Sequence, residues 1–342
     1  MAVKKVTKKR AAKKAFAKKS AVKKPAAKKA SAKKAVANKS AAKKTVAKPP
    51  VAKMTVRQRI PAATTQPKAR GVVPPRRFFR SLDAYEEDAA AADRAQMLAT
   101  ARKRTTAAPD ATRAKRAGRA RSTAADMARP TGSFDPRAGV TRLIGPIADQ
   151  PAGDESCTAY ATVAAMQAVV ARVHGSVAAV PLLSADHLFD SGGQQQTLEP
   201  VADAANRGVL ETVCFPVACT DPSAHTWSAD MQVFQFQRDR VAEICAALER
   251  RELIVISVQV FANFPGFRGT GIYVARGERI GAHALCIIGY EVNTGKGCWL
   301  VQNSFGTAWG ESGVGRIAWE DTTLKPERVV YHVSGVQPPR SA

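Results

Sequence analysis

Ala282-His283-Ala284-Leu285-Cys286-Ile287-Ile288-Gly289-Tyr290 and, beyond a turn at Asn293-Thr294-Gly295, Cys298-Trp299-Leu300-Val301-Gln302-Asn303-Ser304-Phe305-Gly306-Thr307-Ala308-Trp309-Gly310-Glu311 form the stretch on which the fold turns. The first run is a largely apolar strand with a histidine at its start, and the second is a strand running into a glycine-rich corner. Antiparallel pairing of the two brings His283 near Asn303. Upstream, Ser156 to Ala171 is apolar on nearly all sides and gives way before Gly175, so it predicts a buried helix with Cys157 in its first turn. A thiol there faces the positive end of the helix dipole, which lowers its pKa and favours the thiolate. By itself such a cysteine reads as a small buried hydrophobe. His283 and Asn303 change that reading: an imidazole can activate a thiol, and an amide carbonyl can hold the imidazole's far nitrogen in one tautomer.

With these residues in hand the chain resembles the papain family of cysteine peptidases. The resemblance runs from about residue 134 to 318 and keeps the order Cys157, His283, Asn303. Its most specific parts are Gly271-Ile272-Tyr273-Val274 leading to Ala282-His283-Ala284 and Gly289-Tyr290, and Asn303-Ser304-Phe305-Gly306 continuing to Trp309-Gly310-Glu311. Gly145-Pro146-Ile147-Ala148-Asp149-Gln150 resembles the segment before the nucleophile, and Leu183 to Asp190 resembles the one after the central helix. The resemblance implies an α+β, two-lobed fold: a helical lobe around Cys157, an antiparallel β-barrel lobe carrying His283 and Asn303, and a cleft between them. It further implies Cys157 as nucleophile, His283 as general base and then acid, Asn303 as the residue orienting the imidazole, and Gln150 as oxyanion donor. Gly192, Gly193 and Ala282 would contact a peptide or protein substrate, and Trp309 would pack over the His–Asn pair. Neither metal nor cofactor is implied.

The departures from the family pattern are local. Six residues separate Gln150 from Cys157, one more than the usual loop, so Gln150 needs a bulge to reach the oxyanion. Thr158 and Phe305 stand where the family carries tryptophans. The family's disulfide cysteines are absent at Asp154-Glu155-Ser156 and at Ser191. All six cysteines are therefore read as reduced thiols, Cys214 and Cys219 included, and the expected location is cytoplasmic, with nucleoid association possible through the tail. No continuous apolar centre of a secretory signal and no membrane-length apolar window is present. His174, His187, His225 and His332 read as ordinary surface or capping residues.

The net charge of +25 belongs to one end of the chain. Residues 1–81 hold 27 Lys or Arg and no acid, and the first carboxylate is Asp83. From Lys13 the sequence repeats in fives around Lys13-Lys14, Lys18-Lys19, Lys23-Lys24, Lys28-Lys29, Lys33-Lys34 and Lys43-Lys44. With little beyond Ala and Val to bury, residues 1–80 read as a disordered tail and linker. Their composition resembles linker-histone and bacterial histone-like tails. Rows of Lys gather on phosphates by counterion release, so the expected partner is nucleic acid, bound without sequence readout. Residues 81–133 read as a helical linker or a prosegment, capped by Ser81, and residues 134–335 as the peptidase domain, expected to be monomeric. The alternative is a catalytically inactive papain-like fold serving as a DNA-associated architectural or scaffold protein.

Overall fold

The computed structural model describes residues 79–106, 128–138, 143–151 and 154–340, with backbone alone at 103–106. The Lys pairs of the tail lie outside the described residues. Five α-helices are described: α1 (Leu82–Thr106), α2 (Cys157–His174), α3 (Ala185–Ser191), α4 (Leu198–Arg207) and α5 (Arg240–Glu249). The strands are β1 (Val209–Leu210), β2 (Thr226–Val233), β3 (Leu253–Phe261), β4 (Arg279–Asn293), β5 (Lys296–Gln302), β6 (Val314–Ala318) and β7 (Val329–Gln337). They form one antiparallel sheet in the order β1-β2-β7-β3-β4-β5-β6. The expected α+β arrangement, helices packed beside an antiparallel sheet, is the one observed.

Strand alternation divides the interior in two. Leu253 and Val255 of β3, with Ala282, Ala284, Cys286 and Ile288 of β4, face a core shared with α2, α3 and α4. Ile254, Ile256, Val258 and Val260, with Leu285 and Ile287, face a second core closed by α5. Ser257 and Gln259 continue the first face of β3, beyond its apolar half, and both are buried. Helix α2 is apolar almost all round because it lies inside the first core, and it ends at Gly175, whose φ of 64° is the left-handed C-cap conformation that glycine adopts without cost.

Helix α1 starts where the sequence predicts. The Ser81 hydroxyl accepts the Ala84 N–H at 3.0 Å, and Tyr85 and Ala89 bury one side of the helix in the first core. Two readings change. Phe79 and Arg80, assigned by composition to the linker, are buried parts of the folded body: Arg80 reaches Ser257 of β3 with its side chain and Ala282 of β4 with its carbonyl. Cys214 and Cys219 are joined in a disulfide, with Cα atoms 4.7 Å apart, and are not reduced thiols; four intervening residues let the chain fold back far enough to pair them. The other four cysteines are free and buried. Among the described residues no helix is long and apolar enough to cross a membrane.

Candidate active site

The register of β4 and β5 pairs Cys286 with Gln302, and the next residue of the β5 chain, Asn303, meets His283 from β4. His283 Nε2 lies 2.7 Å from Asn303 Oδ1. The same oxygen accepts the Ser304 N–H at 2.7 Å, which identifies it as the carbonyl end of the amide, since a backbone N–H can only donate. Nε2 must therefore carry the imidazole proton, and Nδ1 keeps a lone pair. Among the described residues Nδ1 has no hydrogen-bond partner. Cys157 enters from the other side at the start of α2, where its Sγ accepts the Ala284 N–H at 3.5 Å, one residue past His283 on β4.

Aromatic rings wall the imidazole. Phe305 packs against it with ring centroids 4.6 Å apart, and Phe264, in the loop after β3, meets it at 5.8 Å. Trp309, expected over the His–Asn pair, lies one layer further back: it packs on Phe264 at 5.1 Å and donates its Nε1–H to the Phe264 carbonyl at 2.8 Å. The smaller ring of Phe305 thus shields the histidine directly, while the tryptophan supports Phe264.

The chain itself covers the site. Phe79 stands edge-on to His283 at 5.9 Å, and the Arg80 carbonyl accepts the Ala282 N–H at 3.1 Å. A side chain at Gly281 would place its Cβ 2.7 Å from Phe79 Cβ, so glycine there permits this close approach. The Arg80 guanidinium is fully buried: Nη1 donates to Ser257 Oγ at 3.0 Å, and Nη2 donates to the Ala84 carbonyl and pairs with the Asp88 carboxylate. The second oxygen of Asp88 accepts the Leu198 N–H at 2.8 Å, tying α1 to the start of α4. Burial raises the Asp88 carboxyl above its ordinary range, against the pull of Arg80.

This cover reverses the electrostatic expectation for the thiol. Burial pushes Cys157 up to about 11, outweighing the pull of Arg80 and the Ala284 N–H. Burial also lowers His283 to about 4, against the Asn303 hydrogen bond, with the positive charge of Arg80 adding to the depression. In the covered state the pair is a neutral thiol beside a neutral imidazole.

The remaining expected residues fall in different places. Gln150 is buried near the nucleophile's loop; its Oε1 accepts the Ser304 hydroxyl at 2.9 Å, and its Nε2 donates to the Asp154 carbonyl within the lengthened loop. Ala282 touches the covering segment through its N–H. Gly192 and Gly193 are not brought to that segment: their N–H groups bond the Leu188 and Asp190 carbonyls at 3.0 and 2.9 Å, completing the end of α3. The covering backbone meets Gln196 instead, whose Oε1 accepts the Ser81 N–H at 2.8 Å. Sequence reading also missed Arg80, Asp88, Ser257, Ser304 and Phe264. Ser304 alone carried a local signal, its place beside Asn303. His187, His225 and His332 have specific partners: the Leu210 N–H, Glu211 and Glu252.

Comparison with known proteins places the chain in a family. Residues 130–331 match the model of the papain family cysteine proteases. Cysteine proteinase 1 of Entamoeba histolytica is 40% identical over 55 residues, 16% of this chain and 18% of that protein. Cathepsin B-like cysteine proteinase 4 of Caenorhabditis elegans is 34% identical over 79 residues, 23% of each chain. The alignments thus span about a fifth of these curated relatives. Among solved structures, proCathepsin B S9 from Trypanosoma congolense superposes with a TM-score of 0.50 at 19% identity, covering 61% of this chain and 78% of that one. With the family match spanning more than half its length and a helix-borne Cys157 meeting the strand that carries His283, the chain belongs to the papain family of cysteine proteases.

Proposed function

We propose that the chain is a cysteine peptidase held latent by its own residues 79–106. The observation that carries the reading is the tautomer imposed on His283: Nε2–H is spent on Asn303, so the lone pair is on Nδ1, the nitrogen left to take a thiol proton. Once the cover lifts, the Cys157 proton passes to Nδ1 and the thiolate attacks the scissile carbonyl carbon. The oxyanion is met by the Cys157 N–H and by Gln150 Nε2, which exchanges its bond to the Asp154 carbonyl for the developing charge. Collapse breaks the C–N bond as His283 protonates the amine. A thioester to Cys157 remains, and water, deprotonated by His283, hydrolyses it and restores the thiol.

The same cover explains why burial at Cys157 does not argue for a dead scaffold. A buried thiol beside an oriented imidazole is a competent pair deprived of solvent and substrate. In this reading α1 is a prosegment, and the Lys-rich tail beyond it holds the enzyme on nucleic acid through backbone phosphates. The test is labelling of Cys157 by a thiol-directed epoxide, together with hydrolysis of a mixed peptide pool. Both are expected to be slow in the full chain, fast once Arg80→Ala releases the cover, and absent in Cys157→Ala. An uncovered protein that neither labels nor hydrolyses would be the scaffold.

A further inference from the structure

Two of the hydrogen bonds that hold the cover across the cleft belong to a single peptide unit. Its carbonyl, Arg80 C=O, accepts from Ala282 N–H on β4, and its N–H, that of Ser81, donates to Gln196 Oε1 on the segment before α4. Gln196 is not free to rotate its amide. Its Nε2 donates to the carboxylate of Glu155, which can only accept, so Oε1 is left for the peptide N–H. Glu155 lies two residues before Cys157, which ties the position of this acceptor to the loop that positions the nucleophile. Gly192 and Gly193, with their N–H groups engaged at the end of α3, supply no main-chain contact to the cover.

A trans peptide unit has its C=O and N–H on opposite sides, so one donor and one acceptor facing each other across a cleft can grip a unit of either chain direction. We propose that Gln196, oriented by Glu155, is a substrate-positioning residue, receiving the N–H of the substrate peptide unit whose carbonyl meets Ala282. The proposal rests on the peptidase reading and adds a substrate class to it: extended peptides with a secondary amide at that unit. A residue without an N–H there, proline above all, leaves Oε1 unpaired and is disfavoured.

The test is a two-by-two cycle in the full chain opened by Arg80→Ala. A cleavable peptide is scanned with single ester-for-amide replacements, which remove one N–H at a time with little change of shape, and kcat/KM is measured with Gln196 and with Gln196→Ala. At one position the ester is expected to lower kcat/KM by about five- to tenfold with Gln196 present. With Gln196→Ala that penalty falls to about twofold, the remainder coming from the weaker ester carbonyl facing Ala282. Glu155→Ala should shrink the penalty in the same direction. The same cycle is read as peptide binding in Cys157→Ala, so that it does not depend on turnover. An ester penalty equal in both proteins at every position overturns the role of Gln196, by either readout. A binding cycle that behaves as expected in a protein that never hydrolyses overturns the peptidase reading and leaves the peptide contact standing.

Discussion

At the scale of single residues, the orientation of His283 depends on one oxygen shared between its Nε2–H and the Ser304 N–H. Removing that oxygen frees the ring to rotate and to exchange tautomers, so a proton on Nδ1 would block transfer from the thiol. Asn303→Ala in the uncovered protein is expected to lower kcat on the order of 10²-fold with little change in KM, measured by steady-state hydrolysis. Asn303→Gln, with its amide displaced by one methylene, should fall between the two. An unchanged kcat would show that the rings of Phe305 and Phe264 orient the imidazole without the amide. The meeting of Cys157, His283 and Asn303 was legible in the sequence because each obeys a local rule. Cys157 opens a helix marked by continuous apolar character, and His283 and Asn303 sit at the facing ends of two strands joined by an obvious turn. Gln196 was illegible for the opposite reason. It closes a run of three glutamines that reads as solvated loop, and only the fold brings it to Glu155 and to the backbone of Ser81.

At the scale of elements, α1 has few large apolar side chains, and its attachment relies on Tyr85, Ala89 and the Arg80–Asp88 pair. The pair is a self-contained neutral insert: Arg80 brings a charge into the cleft, and the first turns of its own helix bring the counter-charge. The cleft wall contributes only neutral partners, Ser257 Oγ and the Leu198 N–H. Asp88→Ala strands a guanidinium in a buried site, which costs about 3–5 kcal/mol and falls on the covered state alone. Epoxide labelling of Cys157 should therefore accelerate by several hundredfold or more, until opening no longer limits the rate. Arg80→Met with Asp88→Asn, which removes both charges and keeps much of the volume, should restore slow labelling. If the single and double variants both label as slowly as the parent, packing by Phe79 and Tyr85 holds the cover and the ion pair is incidental. None of this was visible locally. Arg80 lies in a proline- and arginine-containing stretch with the composition of a linker, and its burial depends on Asp88 eight residues away and Ser257 177 residues away.

For the whole molecule, the partition of charge makes two independent demands on the solvent. In the proposed reading the tail carries the salt dependence. If about ten Lys engage duplex phosphates, log K for DNA should fall against log salt with a slope of about −9, and deletion of residues 1–49 should abolish retention on a DNA column while leaving Cys157 labelling intact. The folded body carries the pH dependence. His283 is held at about 4 from an ordinary 6.5, so the unfolded chain binds a proton there that the covered body does not. A depressed histidine contributes stability that is complete above its unfolded pKa and is lost as pH falls toward its folded one, here between about 6.5 and 4. The magnitude approaches about 3 kcal/mol across that window. Asp88 and Glu327, both raised by burial, take up protons on folding and pull the other way, whereas Asp135, Asp239, Glu252, Glu311 and Glu320, held below their ordinary range, add to the loss at the acid end. Arg80 belongs to the cover and helps depress His283, so lifting the cover relieves both the burial and the repulsion. Acid should therefore favour uncovering before it favours unfolding. The check is the urea midpoint at pH 7 and pH 5 for the parent chain and for His283→Gln, which has the same shape of demand but no proton to gain. The parent is expected to lose more stability than the variant over this interval, with epoxide-accessible Cys157 appearing at a lower urea concentration than global unfolding. Equal losses in the two proteins would assign the acid sensitivity to the carboxylates and remove His283 from it.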